Sequence, residues 1–265
     1  MPTKKPKKSI KPGDLFQLGE HLLLCGDALD TELVNKFLSG RKVTAVICDP
    51  PYGISYVENK QGFKQNLGCK NGRVIANDQK QTELEYLEFS QQWLKNLKPH
   101  LARKNSIYIF NSDRMIFALR QALLDVGYKF SQLLIWVKNH SVVGRLDYLP
   151  QHELVAYGWY GIHKFKRSKD KSVLCYPKPS KSKLHPTMKP VGLLRQLILN
   201  STSIGDVVCD LFGGSGSLML SAEQTKRKCL MIELDPEYCQ IIIDRFEKST
   251  GIKAQKIIIN PKKYV

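Results

Sequence analysis

Four consecutive residues, Asp49, Pro50, Pro51 and Tyr52, place a carboxylate, two rigid backbone positions and an aromatic ring directly after an apolar run. The prolines fix φ and have no N–H to donate, so this backbone is extended and rigid. The segment therefore presents mainly hydrogen-bond acceptors beside a flat ring. Because it follows a predicted strand, we expect it at the carboxyl edge of a sheet, where open α/β sheets bind ligands.

This set of groups suits one task well, which is to grip an exocyclic amino group on a planar ring. The Asp49 carboxylate and the Pro50 carbonyl oxygen can accept the two amine hydrogens, which frees the nitrogen lone pair for attack on an electrophile. Extracting a base from a duplex costs a few kcal/mol, and stacking on Tyr52 returns roughly 1–3 kcal/mol. The alternative is structural: a rigid turn after a core strand, with Tyr52 as a wall residue.

A second motif, DVVCDLFGGSGS, spans residues 206–217. Glycines at a strand-to-helix turn let a ligand approach the backbone, and the helix N-terminus offers free N–H groups. The dinucleotide fingerprint fails because Met219 stands at its third glycine position, and the phosphate-loop pattern is also missing. Glu233 follows Gly213 by twenty residues, at the end of the next predicted strand, where an acid accepts hydrogen bonds from ribose hydroxyls. Ribose binding without a pyrophosphate cradle fits S-adenosylmethionine; otherwise Glu233 is a solvated strand end.

The elements that must position these motifs are short apolar runs alternating with helical segments. Predicted strands cover residues 21–26, 42–49, 105–110, 130–137, 152–158, 206–212 and 228–234. Predicted helices cover residues 82–97, 114–124, 191–200, 217–224 and 236–248. The first helix opens with a capping box formed by Thr82 and Glu85. This alternation predicts an α/β fold with one doubly wound, mostly parallel, seven-stranded sheet in a single domain over residues 1–265.

The charge of the chain favours a nucleic-acid partner. Lys and Arg total 41 against 24 Asp and Glu, a net charge of +17, and such a surplus usually meets a polyanion. Two long segments without periodicity, 53–80 and 160–184, are predicted loops that contact DNA and take part in target recognition. The basic residues predicted to clamp the DNA backbone are Lys164, Lys166, Arg167, Lys169, Lys171, Lys181 and Lys183. The alternative for this run is a solvated charged face.

Five motifs taken together resemble the permuted (β-group) DNA amino-methyltransferases of prophages and restriction–modification systems. They are G-D-A-L (26–29), D-P-P-Y-G (49–53), H-P-T-M-K-P (185–190), D-L-F-G-G-S-G-S (210–217) and I-E-L-D-P-E-Y-C (232–239). In unpermuted methyltransferases the glycine turn precedes the catalytic motif, whereas here it follows. The resemblance implies a Rossmann-like class I S-adenosylmethionine methyltransferase fold with a circularly permuted motif order.

The resemblance also assigns roles to individual residues. The catalytic residues would be Asp49, Pro50, Pro51 and Tyr52. The cofactor, S-adenosylmethionine, would be bound by Asp27, Ala28, Thr187, Lys189, Asp210, Phe212, Gly213, Gly214, Ser215, Gly216, Glu233 and Leu234. Among these, Glu233 would hold the ribose, Leu234 and Asp27 would meet the adenine, and Thr187 and Lys189 would meet the methionine carboxylate. Plainer alternatives are a surface charge for Lys189 and a helix cap for Thr187.

The implied activity is site-specific methylation of the exocyclic N6 of a flipped-out adenine in double-stranded DNA. Asp49, rather than Ser, at the head of the catalytic motif favours adenine, and cytosine N4 is the alternative. A catalytically silent DNA-binding subunit of the same fold is a second alternative, and RNA as substrate stays open. Methylation of a protein amide ranks lower, since it usually goes with Asn at this position and the unpermuted order. Segment 160–184 is shorter than the target-recognition region of many similar enzymes, so recognition is expected to be simple or shared with loop 53–80.

Cysteine usage and hydropathy indicate the setting. The seven cysteines form no C-x-x-C pair, and Cys25, Cys48, Cys209 and Cys229 fall in apolar runs, so we expect a reducing compartment without disulfides, zinc or another metal. No apolar stretch approaches the 18 residues of a membrane span, and the basic tail 1–12 is not a secretory signal. We therefore expect a cytoplasmic protein, prokaryotic or phage-encoded. A homodimer and a cognate restriction nuclease are the further partners considered.

Overall fold

The computed structural model describes residues 9–53, 80–141, 147–167, 169–178 and 188–258. Eleven strands lie in these residues: β1 (Leu15–Leu18), β2 (His21–Cys25), β3 (Val43–Cys48), β4 (Leu101–Asn111), β5 (Lys129–Val137), β6 (His152–Trp159), β7 (Ile162–His163), β8 (Val173–Cys175), β9 (Val207–Asp210), β10 (Lys228–Glu233) and β11 (Gln255–Ile257). The strand order in the sheet is β11-β1-β2-β10-β9-β3-β4-β6-β5-β8, and β7 pairs with β4 beside this path.

All seven predicted strands are confirmed, and they form the centre of the sheet in the order β2-β10-β9-β3-β4-β6-β5. Every pairing from β2 to β4 is parallel, and β6 runs antiparallel to both β4 and β5. The sheet is therefore mostly parallel, as predicted. Strands β1, β7, β8 and β11, which have two to four residues each, were not predicted. Strands this short carry too few residues to show a period, and four-residue β9 was predicted as part of the longer apolar run 206–212.

Six helices lie in the described residues: α1 (Thr31–Leu38), α2 (Glu83–Leu97), α3 (Ile116–Val126), α4 (Val191–Ser201), α5 (Ser217–Gln224) and α6 (Pro236–Thr250). The predicted capping box is present at the start of α2, where Thr82 and Glu85 satisfy each other's backbone N–H groups. Helix α3 begins two residues later than predicted. Its last residue is Val126, and it is capped by Gly127, whose backbone is left-handed with φ of 90°. The eight-residue helix α1, capped by Asp30, was not predicted.

The helices cover both faces of the sheet, so the fold is doubly wound. Helices α1, α2 and α3 pack on one face in a first apolar core, and α4, α5 and α6 pack on the other face in a second. Strand β3 is buried along its whole length because its alternate side chains enter the two cores. No helix in the described part of the chain is long and apolar enough to cross a bilayer.

The carboxyl edge of the sheet collects the polar residues that follow the central strands. Asp27, Asp49, Lys138, Asp210 and Glu233 lie at or just after the ends of β2, β3, β5, β9 and β10. Because β6 is antiparallel, its second residue, Glu153, lies at this same edge. The four cysteines predicted to be in the core are buried and free, and the single-domain organisation stays a prediction.

Candidate active site

Asp49 and the glycine turn line the same cleft. Asp49 directly follows β3, which lies between β4 and β9, and residue 210 at the end of β9 leads into the turn. The cleft has an empty volume of about 380 Å³, which includes space open to solvent. Its lining includes Asp49, Lys189, Asp210, Phe212, Gly213, Gly214 and Ser215. The structure thus brings together two motifs that are more than 150 residues apart in the chain.

Tyr52 is tied to Asp49 through its hydroxyl group. The hydroxyl donates a hydrogen bond of 2.7 Å to Oδ1 of Asp49 and lies 3.5 Å from Oε2 of Glu153. The ring packs against the apolar core on the face of α4 to α6. Pro50 is buried and Pro51 is half-buried. The two residues between Asp49 and Tyr52 therefore pack, wholly or in part, against the protein. Stacking of Tyr52 on a base stays a prediction.

Lys189 is a buried residue, not the surface charge that was one alternative. Only 6% of its surface is exposed, and its Nζ lies 2.5 Å from Oδ2 of Asp49 and 3.0 Å from Oε2 of Glu153. The ammonium group also lies 4.9 Å from the centre of the Phe110 ring. Its contact with a cofactor carboxylate stays a prediction, and Thr187 lies outside the described residues.

Glu153 and Lys138 complete this set of charges, and the sequence analysis missed both. Lys138 Nζ lies 2.8 Å from Oε1 of Glu153, so that Glu153 is bound by two buried lysines. Burial raises the pKa of Asp49, and Lys189 offsets this only in part. Burial also opposes ionisation of Glu153, but Lys189 and Lys138 outweigh it and hold its pKa below the usual value. For Lys189, burial is outweighed by Asp49 and Glu153, and its pKa is raised.

The glycine turn needs its glycines for specific steric reasons. Gly216, which caps α5, has φ of 75°, and a Cβ there would lie 2.9 Å from Ile242. A Cβ on Gly213 would lie 2.8 Å from Met231, because the turn is drawn against β10 by a bond from Gly213 N–H to the Ile232 carbonyl oxygen. Gly214 also has a positive φ, of 52°. The backbone is therefore compact and accessible from the cleft.

Glu233 is fixed by two backbone N–H groups. Gly214 donates to Oε2 at 2.6 Å and Asp235 donates to Oε1 at 2.9 Å. Each carboxylate oxygen accepts once here and has a second lone pair for a ribose hydroxyl. Burial raises the pKa of Glu233 to about 7. The solvated strand end considered for this residue is wrong, since only 8% of its surface is exposed.

The remaining predicted cofactor residues lie beside Glu233 and the turn. Gly26 donates to the Glu233 carbonyl oxygen, which brings Asp27 and buried Ala28 next to Glu233 and Leu234. Asp210 is buried, and this burial raises its pKa to about 7.

Phe212 packs edge-on against Trp93 of α2, with ring centres 5.5 Å apart. Together these groups offer acids, backbone N–H groups and an aromatic face. Among the described residues, Lys189 is the only lysine that lines the cleft. This set suits a nucleoside that carries no phosphate.

A family profile described as DNA methylase matches residues 43–244, which include the Asp49 motif and the glycine turn. The chain belongs to the DNA methylase family.

Several relatives of this DNA methylase are Type II methyltransferases. The chain is 27% identical to M.HpaI of Haemophilus parainfluenzae, over 85% of this chain and 74% of that protein. It is 28% identical to M2.DpnII of Streptococcus pneumoniae, over 80% of this chain and 86% of that protein.

Solved structures share the fold. The M1.HpyAVI–SAM complex aligns with a TM-score of 0.62 and 25% identity, over 84% of this chain and 98% of that one. The cytosine-N4-specific PvuII DNA methyltransferase aligns with a TM-score of 0.67 and 19% identity, over 84% of this chain and 85% of that one. The predicted class I methyltransferase fold is therefore confirmed.

The DNA methylase also has a site residue that the sequence analysis missed, Arg245 on α6. Its guanidinium donates to the Ser215 carbonyl oxygen at 2.8 Å and to the Ser217 hydroxyl at 2.9 Å. Arg245 thereby ties α6 to the glycine turn. An arginine thirty residues downstream, on the helix that follows β10, gives no local sequence signal of this contact.

The first described residues of the basic segment of the DNA methylase bind the amino edge of the sheet. Lys164 pairs with Asp206 at 2.6 Å, and Lys166 donates to Ser203 at 2.7 Å. Both contacts lie at the amino ends of the strands, opposite the edge that carries Asp49. Arg167, Lys169 and Lys171 are exposed.

The aromatic residues of that segment pack on the protein. Tyr160 lies against Tyr128 and Phe165 against Tyr157, while the Tyr176 hydroxyl donates to Gln196. Lys181, Lys183 and most of loop 53–80 lie outside the described residues. Contact between the basic segment and DNA stays a prediction.

Proposed function

We propose that this DNA methylase transfers a methyl group from S-adenosylmethionine to the exocyclic N6 of a flipped-out adenine in double-stranded DNA. The observation that carries the proposal is the Asp49 carboxylate, fixed by Tyr52 and Lys189 in the cleft that it shares with the glycine turn. An acceptor held in this way is what an amino group needs if its lone pair is to face an electrophile.

The described residues fit the cofactor. Glu233 has unused lone pairs for the ribose hydroxyls, and Gly213, Gly214 and Ser215 line the cleft, where a ligand can approach the turn. Asp27 and Leu234 flank Glu233 at the ends of neighbouring strands, where adenine would be bound. S-adenosylmethionine supplies an electrophilic methyl group on sulfur. The complex of M1.HpyAVI with SAM supports this choice of cofactor.

The residues of the chain hold the base and take the proton. The Asp49 carboxylate and the Pro50 carbonyl oxygen accept the two hydrogens of the base amine. When the nitrogen gains a methyl group it becomes cationic and loses one proton, for which Asp49 is the nearest base. Tyr52 and Lys189 limit the rotation of that carboxylate, so its position is set before the base enters.

Asp49 at the head of the catalytic motif favours adenine over cytosine. The pocket chemistry is the same for cytosine N4, and the PvuII enzyme, which is cytosine-N4-specific, shares the fold at 19% identity. Cytosine N4 is therefore the second candidate substrate. The Type II names of the relatives support a place in a restriction–modification system. A homodimer, a cognate nuclease and a cytoplasmic location stay predictions.

The test is to express the protein in cells that lack DNA methylation, digest the genomic DNA and identify the modified nucleoside. We expect N6-methyl-2′-deoxyadenosine in the digest. N4-methyl-2′-deoxycytidine would show that the adenine assignment is wrong. Asp49→Ala is the control: it should abolish methylation while S-adenosylmethionine still binds. If the wild type leaves all DNA unmethylated but binds the cofactor, the chain is a silent DNA-binding subunit.

A further inference from the structure

Four charged side chains form a buried row at the carboxyl edge of the sheet, which we name the ion row: Asp49, Lys189, Glu153 and Lys138. Successive members are 2.5, 3.0 and 2.8 Å apart. They come from four separate places, after β3, before α4, in β6 and after β5. Such a row costs desolvation energy that a simple apolar contact would not, so its presence beside the cleft calls for a reason.

The charges in the ion row balance. Two lysines, 6% and 5% exposed, face two carboxylates whose side chains are 23% and 19% exposed. Removing Glu153 would leave two buried ammonium groups with Asp49 alone, and removing Lys189 would leave Asp49 without a cation. Uncompensated buried charges are strongly unfavourable, so each member depends on its neighbours.

The ion row also fixes the Asp49 carboxylate. Lys189 binds Oδ2 and the Tyr52 hydroxyl binds Oδ1, so both oxygens are held and the group cannot rotate freely. Glu153 binds Lys189 at 3.0 Å, whereas the single proton of the Tyr52 hydroxyl goes to Asp49. Glu153 is therefore the anchor behind Lys189, one of the two groups that orient Asp49.

We propose that Lys189 and Glu153 are positioning residues for methyl transfer: Lys189 keeps the Asp49 carboxylate ionised and oriented to accept the base amine, and Glu153 holds Lys189 in place. This inference rests on the proposed function. It gives Lys189 a different task from the contact with the methionine carboxylate that the family resemblance implies. A protonated Asp49 would present a donor to the amine hydrogens, so keeping it ionised matters for binding the base.

The two residues act on Asp49 with opposite sign. Lys189 lowers the pKa of Asp49, whereas the charge of Glu153 raises it. Lys189→Met should therefore move the acid limb of the transfer rate to higher pH. Glu153→Gln should move it to lower pH, because Lys189 then pairs with Asp49 alone while the amide oxygen still accepts from Lys189.

The experiment measures single-turnover methyl transfer to duplex DNA from pH 5 to 9, together with the Kd for S-adenosylmethionine by calorimetry. We expect Lys189→Met to slow transfer about 100-fold, as a misplaced catalytic group does, with an unchanged Kd. Glu153→Ala should also slow transfer, and Glu153→Gln should recover part of the loss. The matched control is Lys228→Met, which breaks the ion pair with Glu20 at the opposite edge and should change neither the rate nor the pH profile.

Two outcomes would overturn the inference while the wild type remains active. One is pH profiles of Lys189→Met and Glu153→Gln that superimpose on the wild type. The other is a weaker Kd in Lys189→Met with normal transfer at saturating cofactor, which would assign Lys189 to the methionine carboxylate.

A readout without methyl transfer separates this inference from the proposed function. In a thermal-unfolding cycle, Lys189→Met and Asp49→Asn should each lower Tm, and the double variant should lose less than the sum of the two. Additive losses would contradict the pairing. A wild type that transfers no methyl group would contradict the proposed function alone, and the cycle would still decide whether Lys189 holds Asp49.

Discussion

At the scale of single residues, Tyr52 combines two tasks that its hydroxyl and its ring perform separately. The hydroxyl donates to Asp49 at 2.7 Å, and the ring is the surface on which we expect a flipped base to stack. Burial, followed by the charge of Asp49, raises the pKa of the Tyr52 hydroxyl well above its usual value. The hydroxyl therefore stays protonated and acts as a donor at neutral pH.

Tyr52→Phe and Tyr52→Ala should separate these tasks. The phenylalanine variant keeps the ring and loses only the bond to Asp49, so we expect a modest loss of transfer that is equal on paired and mismatched DNA. The alanine variant also loses stacking, about 1–3 kcal/mol, and should be weaker on paired duplex than on a target base that is already mismatched. Transfer rates on the two substrates check this. An equal loss on both for Tyr52→Ala would argue against stacking.

At the scale of elements, the central strands and most helices follow from local pattern. Strand β3 is a run of six apolar or small residues between polar flanks, and the capping box at Thr82 marks the start of α2. Helix α1 was not predicted although it is as long as α5, whose start the preceding glycine turn marks. Strands β1 and β11 pair antiparallel at one edge of the sheet although they lie some 240 residues apart in the chain. No local sequence period indicates such a distant pairing.

The residues of the site also fall into two groups, those marked by a local motif and those that meet only through contacts between distant parts of the chain. Asp49, the glycines and Glu233 stand in motifs whose spacing carries information. Glu153 stands singly at the start of β6 and Lys138 directly after β5. Glu153 meets Lys138 and Lys189 only because β6 is antiparallel, so that its start lies at the carboxyl edge. Sequence reasoning could have noticed an acid at the start of an apolar strand, but its two lysine partners depend on the strand order.

Helix α6 supports the glycine turn through Arg245, which makes its role testable. Arg245→Met keeps the aliphatic stem and removes the bonds to Ser215 and Ser217. We expect the free energy of unfolding to fall by roughly 1–3 kcal/mol, as when bonds to a charged group are lost, and the affinity for S-adenosylmethionine to weaken. Urea denaturation and calorimetry measure the two effects. Exposed Lys248 on the same helix gives the control Lys248→Met, and equal behaviour of the two variants would contradict the role.

His21 joins strands β2 and β10 to α5 and should make stability depend on pH. Its Nδ1 accepts from Cys229 N–H and its Nε2 donates to Glu223, so the folded protein holds the neutral ring. Burial lowers the pKa of His21 despite the opposing effect of Glu223. A lowered folded pKa means that the stabilisation is present above the unfolded value, about 6.5, and is lost as pH falls below it.

We expect the difference in the free energy of unfolding between the wild type and His21→Gln to become smaller as pH falls from 8 to 5. Denaturant unfolding at each pH measures this difference. Exposed His140 supplies the control His140→Gln, whose difference from the wild type should stay constant. A constant difference for His21→Gln as well would mean that the ring does not stay neutral in the folded protein.

At the scale of the whole molecule, the two edges of the sheet carry different features. The cleft, the ion row and the predicted cofactor residues lie at the carboxyl edge, so a flipped base must arrive there. Lys164 and Lys166 lie at the amino edge, where they bind Asp206 and Ser203. The basic residues behind the net charge of +17 therefore do not all lie at one edge of the sheet. Lys164 and Lys166 bind other residues of the protein and so contribute to the fold.

The salt dependence of DNA binding can show which lysines face the duplex. Lys181 and Lys183 lie outside the described residues, and the hypothesis to test is that both contact DNA phosphates. Each phosphate contact contributes about 0.9 to the slope of log K against log salt. Replacing Lys181 and Lys183 by alanine should lower that slope by about 1.8.

Replacing Lys164 and Lys166 by alanine removes the same charge and should leave the slope nearly unchanged, because their ammonium groups already bind the protein at the far edge. Filter-binding titrations from 50 to 200 mM salt compare the two double variants. A larger effect from Lys164 and Lys166 would mean that DNA wraps around to the amino edge, as the clamp over residues 160–184 requires.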